Sequence, residues 1–262
     1  METTISADGT DVRFYDEGHG RAIVILGPGL DDGTRTKKLA AILANRFRVL
    51  RVHRRQYRLD LEPCSVAQEV DDVIAIARYV GEPVIIYGHS SGAVVALEAL
   101  VASPSSFAGA VLFEPALPVN GPWTGPEVIK QMRAAIAAGK PGKAMAIFTH
   151  RAIGLPAWQA RLVGGFTALI PHYRRLVPSQ IDDLDAMHEV GNHLAAYAHN
   201  TVPTVLVGGG RSPERLTSVV HAVAKAMPRT ETCMLHGRDH GADLKAPKEI
   251  AQVIAALADK VS

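Results

Sequence analysis

The sequence predicts an α/β fold, and three observations carry the prediction. Short apolar runs rich in β-branched residues alternate along the chain with longer stretches of helical spacing. These runs are apolar without a break, as strands covered by helices on both faces require. One of them, Val84-Ile85-Ile86-Tyr87, enters Gly88-His89-Ser90-Ser91-Gly92 and gives way at once to the helix-forming Ala93-Val94-Val95-Ala96-Leu97-Glu98. The order is strand, sharp turn, helix, with Ser90 at the apex of a G-x-S-x-G pattern.

Residues 3–17 alternate well enough for a hairpin that turns at Ala7-Asp8-Gly9-Thr10. Arg21-Ala22-Ile23-Val24-Ile25-Leu26 reads as a buried strand. It ends in Gly27-Pro28-Gly29-Leu30-Asp31-Asp32-Gly33, a loop too rich in glycine to be only a connector. A helix over residues 36–45 precedes the strand Arg48-Val49-Leu50-Arg51-Val52. Residues 64–80 have helical spacing, with Val66, Val70, Val73, Ile74 and Ala77 on one face. The helix after Ser90 ends near Ala102, and Gly109-Ala110-Val111-Leu112-Phe113 is the next buried strand.

The rhythm then breaks. Helical pieces at residues 126–138, 142–153, 158–170 and 181–197 are separated by Pro and Gly, with no convincing strand among them. It resumes with Thr204-Val205-Leu206-Val207, a helix over residues 213–226, the strand Glu231-Thr232-Cys233-Met234-Leu235 and a helix over residues 247–260. The chain thus divides into a core of residues 1–115 and 201–262 and a helical cap insertion of residues 116–200, placed to roof a site.

A length of 262 residues with 47% apolar and 21% charged residues suits one globular domain with a modest insertion. The net charge of +2 is too small to point to nucleic acid, and no apolar run approaches a membrane-spanning length, so neither partner is expected. Met1-Glu2-Thr3-Thr4 has no basic or apolar region of a signal peptide, and a cytoplasmic location is expected. Cys64 and Cys233 lie far apart in different elements, which favours two reduced thiols. His188-Glu189-Val190-Gly191-Asn192-His193 has one residue too many for the zinc pattern H-E-x-x-H, so no metal is expected there. Gly208-Gly209-Gly210 follows a late strand and lacks dinucleotide-loop spacing.

With the elbow, the glycine-rich loop and a late histidine in Leu235-His236-Gly237-Arg238-Asp239-His240-Gly241, the chain resembles the α/β-hydrolase superfamily over nearly its full length. The nearest likeness is to small cofactor-independent serine esterases and lactonases with a helical cap. That resemblance implies an α/β-hydrolase fold: an eight-stranded, mostly parallel sheet with helices on both faces, opening on an antiparallel hairpin. It implies no cofactor.

A serine hydroxyl is a weak nucleophile until a base accepts its proton. His240, on the loop after the last strand, stands where the resemblance places that base, with His236 as the alternative. Many members carry the orienting acid shortly after the seventh strand, but here that place reads Gly208-Gly209-Gly210-Arg211-Ser212-Pro213. Some carry it directly after the sixth strand, where this chain has Glu114. A carboxylate ending an apolar strand needs a buried partner, and an imidazolium is a suitable one. Glu114 is therefore the expected acid, with Glu214 and Asp239 as alternatives. The oxyanion donors are expected to be the amides of Ser91 and Gly29, since Pro28 has no N–H, with Leu30 as the fallback for Gly29.

Leu30, His89, Trp123 and Trp158 are the expected substrate-binding residues, although turn packing explains His89 as well. Phe166, Tyr173, Met187 and Tyr197 either line an apolar pocket under the cap or pack the cap itself. Arg48, Arg51, Arg54, Arg55 and Arg58 either hold a substrate carboxylate or, on the blander reading, form a solvated rim paired with Asp31, Asp32, Asp60 or Glu62. The expected function is hydrolysis of an ester, lactone or thioester of a small, moderately apolar molecule through an acyl-enzyme on Ser90. Carbon–carbon hydrolysis, lyase or cyclase chemistry on the same residues, and a non-catalytic ligand-binding role, stay open. A small-molecule substrate is the expected partner, and a homodimer is left open.

Overall fold

A computed structural model describes residues 1–261 of the chain. The strands, among the described residues, are β1 (Glu2–Ile5), β2 (Asp11–Glu17), β3 (Ala22–Leu26), β4 (Arg48–His53), β5 (Val84–His89), β6 (Phe107–Phe113), β7 (Thr204–Gly209) and β8 (Thr230–Leu235). They form one eight-stranded sheet in the order β1-β2-β4-β3-β5-β6-β7-β8. β1 and β2 form the antiparallel hairpin and β2 joins β4 antiparallel, while every later pairing is parallel. This is the eight-stranded, mostly parallel sheet of the α/β-hydrolase fold.

Between them run α1 (Lys37–Leu43), α2 (Val66–Val80) and α3 (Ser91–Ala102). The segment from β6 to β7 holds α4 (Pro126–Ala137), α5 (Pro141–Phe148), α6 (Ala157–Leu169), α7 (Pro171–Val190) and α8 (Leu194–Tyr197). α9 (Glu214–Ala226), α10 (Ala242–Lys245) and α11 (Pro247–Lys260) complete the chain.

Alternation along the strands feeds two cores, because successive side chains point to opposite faces. Ile23, Ile25, Val49, Ile85, Tyr87, Val111 and Val207 pack with Leu39 and Leu43 of α1 and Ile250, Ile254 and Leu257 of α11. Val24, Leu26, Leu50, Ile86, Leu112 and Leu206 pack on the other side with α2, α3 and α9, and that core continues into α4, α5 and α7. α2 has a well-formed start, since Ser65 and Gln68 make a reciprocal capping box, and it stops at Gly81 with φ 83°.

In the helical segment the helix expected at residues 181–197 runs from Pro171 to Val190 and passes through Pro178. Pro171 suits a first helical position, where the missing N–H has no partner to lose. The helix expected at residues 142–153 divides into α5 and a wide π turn, Thr149–Ile153, closed by Gly154 at φ 90°. Cys64 and Cys233 are unpaired, and no described helix is long and apolar enough to cross a membrane.

Candidate active site

Sheet order places the site. β3 leads on to β4 on one side, whereas β5 and the strands after it build outward on the other, so a crevice opens where β3 and β5 diverge at their carboxyl ends. Leu26 and Gly88 are opposite each other in the ladder, which brings the loop after β3 beside the elbow after β5. The elbow needs both of its glycines. A Cβ on Gly88 would lie 2.6 Å from Ala93 Cα, and one on Gly92 would lie 2.4 Å from the Gly27 carbonyl oxygen. Those are backbone contacts that no side-chain rotation relieves.

Ser90 caps α3 with φ 57° and ψ −119°, and its amide donates to the Phe113 carbonyl. Among the described residues only Leu30 (φ 60°), Ser90 and Glu114 (φ 44°) are non-glycine residues with positive φ. Each such conformation costs on the order of 1–3 kcal/mol and persists only where the surroundings over-determine it. All three meet in this crevice. Glu114 is held by its amide bonding the Val207 carbonyl, with the Ala116 amide returning to the Ser90 carbonyl two residues later.

The Glu114 side chain is fully buried. Oε1 accepts the Gly209 amide at 2.7 Å, and Oε2 lies 2.6 Å from His240 Nδ1. Burial raises the carboxyl's pKa, but the hydrogen bond and charge of His240 and the Gly209 amide outweigh it and hold the group below its ordinary value. An ionised carboxylate only accepts, so Nδ1 carries a proton, and in the neutral ring Nε2 is then the nitrogen with the free lone pair.

Ser90, Ser91, Gly29, Leu30, Trp123 and His240 line one cavity of about 700 Å³. Its walls are mostly apolar, with Met145, Phe148, Ile153, Leu155, Val163, Leu184 and Met187 contributed by the helical segment. Arg35, Gln180, Asp183, Arg211, Asp239 and Lys245 add polar groups. Asp239 alone of these six is a candidate from the sequence, as an alternative acid; the other five reach the cavity through tertiary packing and carry no local pattern.

Two expected substrate-binding residues lie off the cavity. His89 is fully buried, stacked on Phe113 at 4.6 Å between centroids and set edge-on to His240 at 4.7 Å. Burial pushes its pKa down to about 4, against the pull of Asp243, so the ring is neutral at pH 7. It packs behind His240 rather than facing a substrate. Trp158 is 63% exposed on the outer face of α6, because the residues one and five positions on, Gln159 and Val163, take the side turned to the cavity.

The alternative acids and base have other partners or lie in solvent. Asp239 turns to the Gly241 amide and to Lys245 Nζ, at 2.9 and 2.7 Å. Glu214 and His236 are exposed. His188 and His193 do not converge: His188 Nε2 accepts the Trp123 amide, and His193 pairs with Glu98.

The arginines correct the expectation of a solvated rim. Arg51, Arg54, Arg55 and Arg58 are buried, and none lines the cavity. Of the partners expected for them, Asp60 alone is used, by Arg58. Arg54 is the hub of a buried network. It bonds Glu69 of α2 bidentately at 3.1 and 2.6 Å, Asp183 of α7 at 2.8 Å and the Ser91 hydroxyl at 2.7 Å. The Tyr57 hydroxyl donates to the second Asp183 oxygen at 2.7 Å. Burial alone would lower the guanidinium's pKa, but Asp183 and Glu69 raise it well above its ordinary value. On the opposite wall Asp243 takes Arg35 bidentately, at 2.7 and 3.0 Å.

Comparison with known proteins follows the same lines. The model of the alpha/beta hydrolase family matches residues 23–253. An alpha/beta hydrolase from Sphaerobacter thermophilus is similar over 98% of this chain and 99% of its own, at 27% identity and a TM-score of 0.81. A thermophilic esterase from Thermogutta terrifontis is similar over 99% and 98%, at 17% identity and a TM-score of 0.76. A meta-cleavage product hydrolase from Pseudomonas fluorescens is similar over 100% and 98%, at 14% identity and a TM-score of 0.71. The last two likenesses show the fold alone. No curated protein matches the chain.

Proposed function

The chain belongs to the alpha/beta hydrolase family, and from that premise we propose that it is a serine hydrolase cleaving an ester, lactone or thioester of a small, moderately apolar molecule. One observation carries the reading. A strained Ser90 and a His240 whose Nδ1 is fixed on buried Glu114 open on the same largely apolar cavity.

In this mechanism His240 Nε2 takes the Ser90 proton as the hydroxyl oxygen attacks the substrate carbonyl carbon. Charge builds on the carbonyl oxygen, where the Ser91 and Gly29 amides receive it. Glu114 holds the ring in the tautomer that can accept and stabilises the imidazolium that forms. His240 then returns the proton to the leaving alcohol or thiol, and the carbonyl re-forms as an acyl ester on Ser90. Water attacks that ester with His240 again as base, and Ser90 is released with its proton. Arg54 anchors the hydroxyl of Ser91, which keeps the residue bearing one oxyanion amide in place.

Supporting the esterase reading, the Thermogutta relative is an esterase, and the wall of the cavity suits an acyl or alkoxy group without charge. The test is trapping. Short p-nitrophenyl esters should leave an acyl group on the Ser90 peptide by mass spectrometry, and Ser90→Ala should abolish both that adduct and labelling by a fluorophosphonate. Turnover of a carbon–carbon substrate with no acyl-Ser90 would replace this reading by a base role for Ser90.

A further inference from the structure

α6 carries a surface that the cavity does not use. Its residues Trp158, Leu162, Phe166 and Leu169 are large and apolar, yet between 61% and 81% of each is exposed. At about 100° per residue these four fall within an arc of about 80°. The opposite face, Ala160, Gly164 and Thr167, is the buried one. Gln159 and Val163, on one flank of the stripe, line the candidate active-site cavity. On the other flank lies a second, open groove lined by Lys140, Lys143, Arg161 and Arg174. These four are exposed, and among the described residues none makes an ion pair.

The charge is not local noise. From residue 128 to residue 181 the sequence holds Lys130, Arg133, Lys140, Lys143, Arg151, Arg161, Arg174 and Arg175, and no aspartate or glutamate. The rest of the chain leans the other way: of the 28 lysines and arginines 20 lie outside this stretch, against all 26 aspartates and glutamates.

We propose that the outer face of α6, with the cationic groove beside it, docks this protein on an anionic lipid surface. The surface combines what an interfacial segment needs, an exposed stripe of Trp, Phe and Leu on α6 and cations at its border, Arg161 from α6 itself and Lys140, Lys143 and Arg174 from the segments packed beside it. The apolar stripe enters the acyl boundary, while Lys140, Lys143, Arg161 and Arg174 meet the headgroup phosphates and carboxylates. Lacking a membrane-spanning helix bears on crossing a bilayer and not on lying against one. A second copy of the chain fits this face poorly. A two-fold contact sets the same patch against itself, and here it would bring two sets of unpaired cations together. Docked this way, the cavity flank of α6 sits at the lipid boundary, so an apolar substrate passes from the lipid to the cavity along one helix.

Vesicle sedimentation of the full chain tests the proposal. Vesicles of phosphatidylcholine with an equal share of phosphatidylserine should bind it at least tenfold more tightly than phosphatidylcholine alone, and added salt should weaken the binding. Trp158 is one of two tryptophans and Trp123 is buried, so docking should shift tryptophan emission to the blue. Trp158→Ser with Leu162→Ser and Phe166→Ser should cut binding tenfold or more at an unchanged melting temperature. Lys143→Glu with Arg161→Glu and Arg174→Glu should remove the preference for anionic vesicles. Absence of binding to the anionic vesicles, or equal binding by all variants, overturns the proposal. So does a wild-type dimer in sedimentation equilibrium that the serine variant dissolves without any vesicle binding, since the occupant is then a second copy.

Discussion

Replacing Glu114 by glutamine changes one atom and should disable the site. Both oxygens of Glu114 are engaged, Oε1 with the Gly209 amide and Oε2 with His240 Nδ1. In the variant the Gly209 N–H still needs an oxygen, so the glutamine carbonyl stays there and its NH₂ turns to His240. A donor facing Nδ1 makes Nδ1 the acceptor and moves the ring proton to Nε2, the atom that takes the Ser90 proton in the proposed mechanism. The acceptor is lost without a change of shape. In a comparable triad an acid-to-amide change lowers kcat about 10⁴-fold, which corresponds to about 5.5 kcal/mol. Initial rates on a short p-nitrophenyl ester, with active sites counted by fluorophosphonate titration, give kcat and KM separately. The expected result is a kcat loss of about three to four decades with KM nearly unchanged and the fold intact by circular dichroism. Loss of less than tenfold would mean that Glu114 does not orient the base. Glu214→Gln, on the surface at the start of α9, should leave kcat as it is.

Two further outcomes follow from the loop after β3. A Cβ on Gly29 would lie 1.8 Å from Gln180 Oε1, the end of a buried side chain on α7 that accepts the Tyr57 hydroxyl, and with Gln180 held there Gly29→Ala should displace the loop amide and lower kcat roughly 100-fold. Adding Gln180→Gly should recover most of that loss; full activity in the single variant would place the donor elsewhere. Asp31 accepts the Gly33 and Arg35 amides and the Thr36 hydroxyl, yet burial pushes its pKa from 3.8 up to about 6. The folded chain therefore binds more protons than the unfolded one between those values, and stability falls as pH rises through them. Asp31→Asn removes that slope and should gain up to about 3 kcal/mol over the parent between acid and neutral pH. Urea melts across that range measure it, and parallel curves for the two proteins would refute the raised pKa.

Much of the fold was legible because its strands are buried on both faces. β3 and β6 are apolar along their whole length and β5 is so from Val84 to Ile86, and such runs read as strands without any knowledge of their partners. Glu114 was legible for the same reason, as a charge standing where such a strand ends. The start of α7 was not. Pro171 and Pro178 read as breakers, whereas a first-turn proline loses no bond and the packing of Leu176, Val177 and Ile181 outweighs the one removed by Pro178. Periodicity also says that a helix has faces but not which neighbour each face meets, and so Trp158 was given to the cavity and its neighbour Gln159 was not. The arginines failed differently. Arg54 binds Asp183, 129 positions away, and a pairing of that separation leaves no mark in either stretch of sequence.

That Arg54 hub limits how this enzyme's substrate range can be rebuilt. Asp183 and Gln180 are the points at which α7 is tied to Tyr57, to the glycine loop and, through Arg54, to Ser91. A chimera that exchanged the whole stretch between β6 and β7 would strand a buried guanidinium and its Glu69 beside Ser91, a loss on the order of 3–5 kcal/mol for a broken buried pair. α4, α5 and α6 have no buried ion pair of this kind: α4 meets α7 through the half-exposed Arg133 and its Asp182 and Asp185 pairs, while α5 and α6 supply Met145, Phe148, Gln159 and Val163 to the cavity wall. Recombination and directed evolution therefore have an exchangeable half and a fixed half within one insert, with the seam in the turn between Leu169 and Pro171.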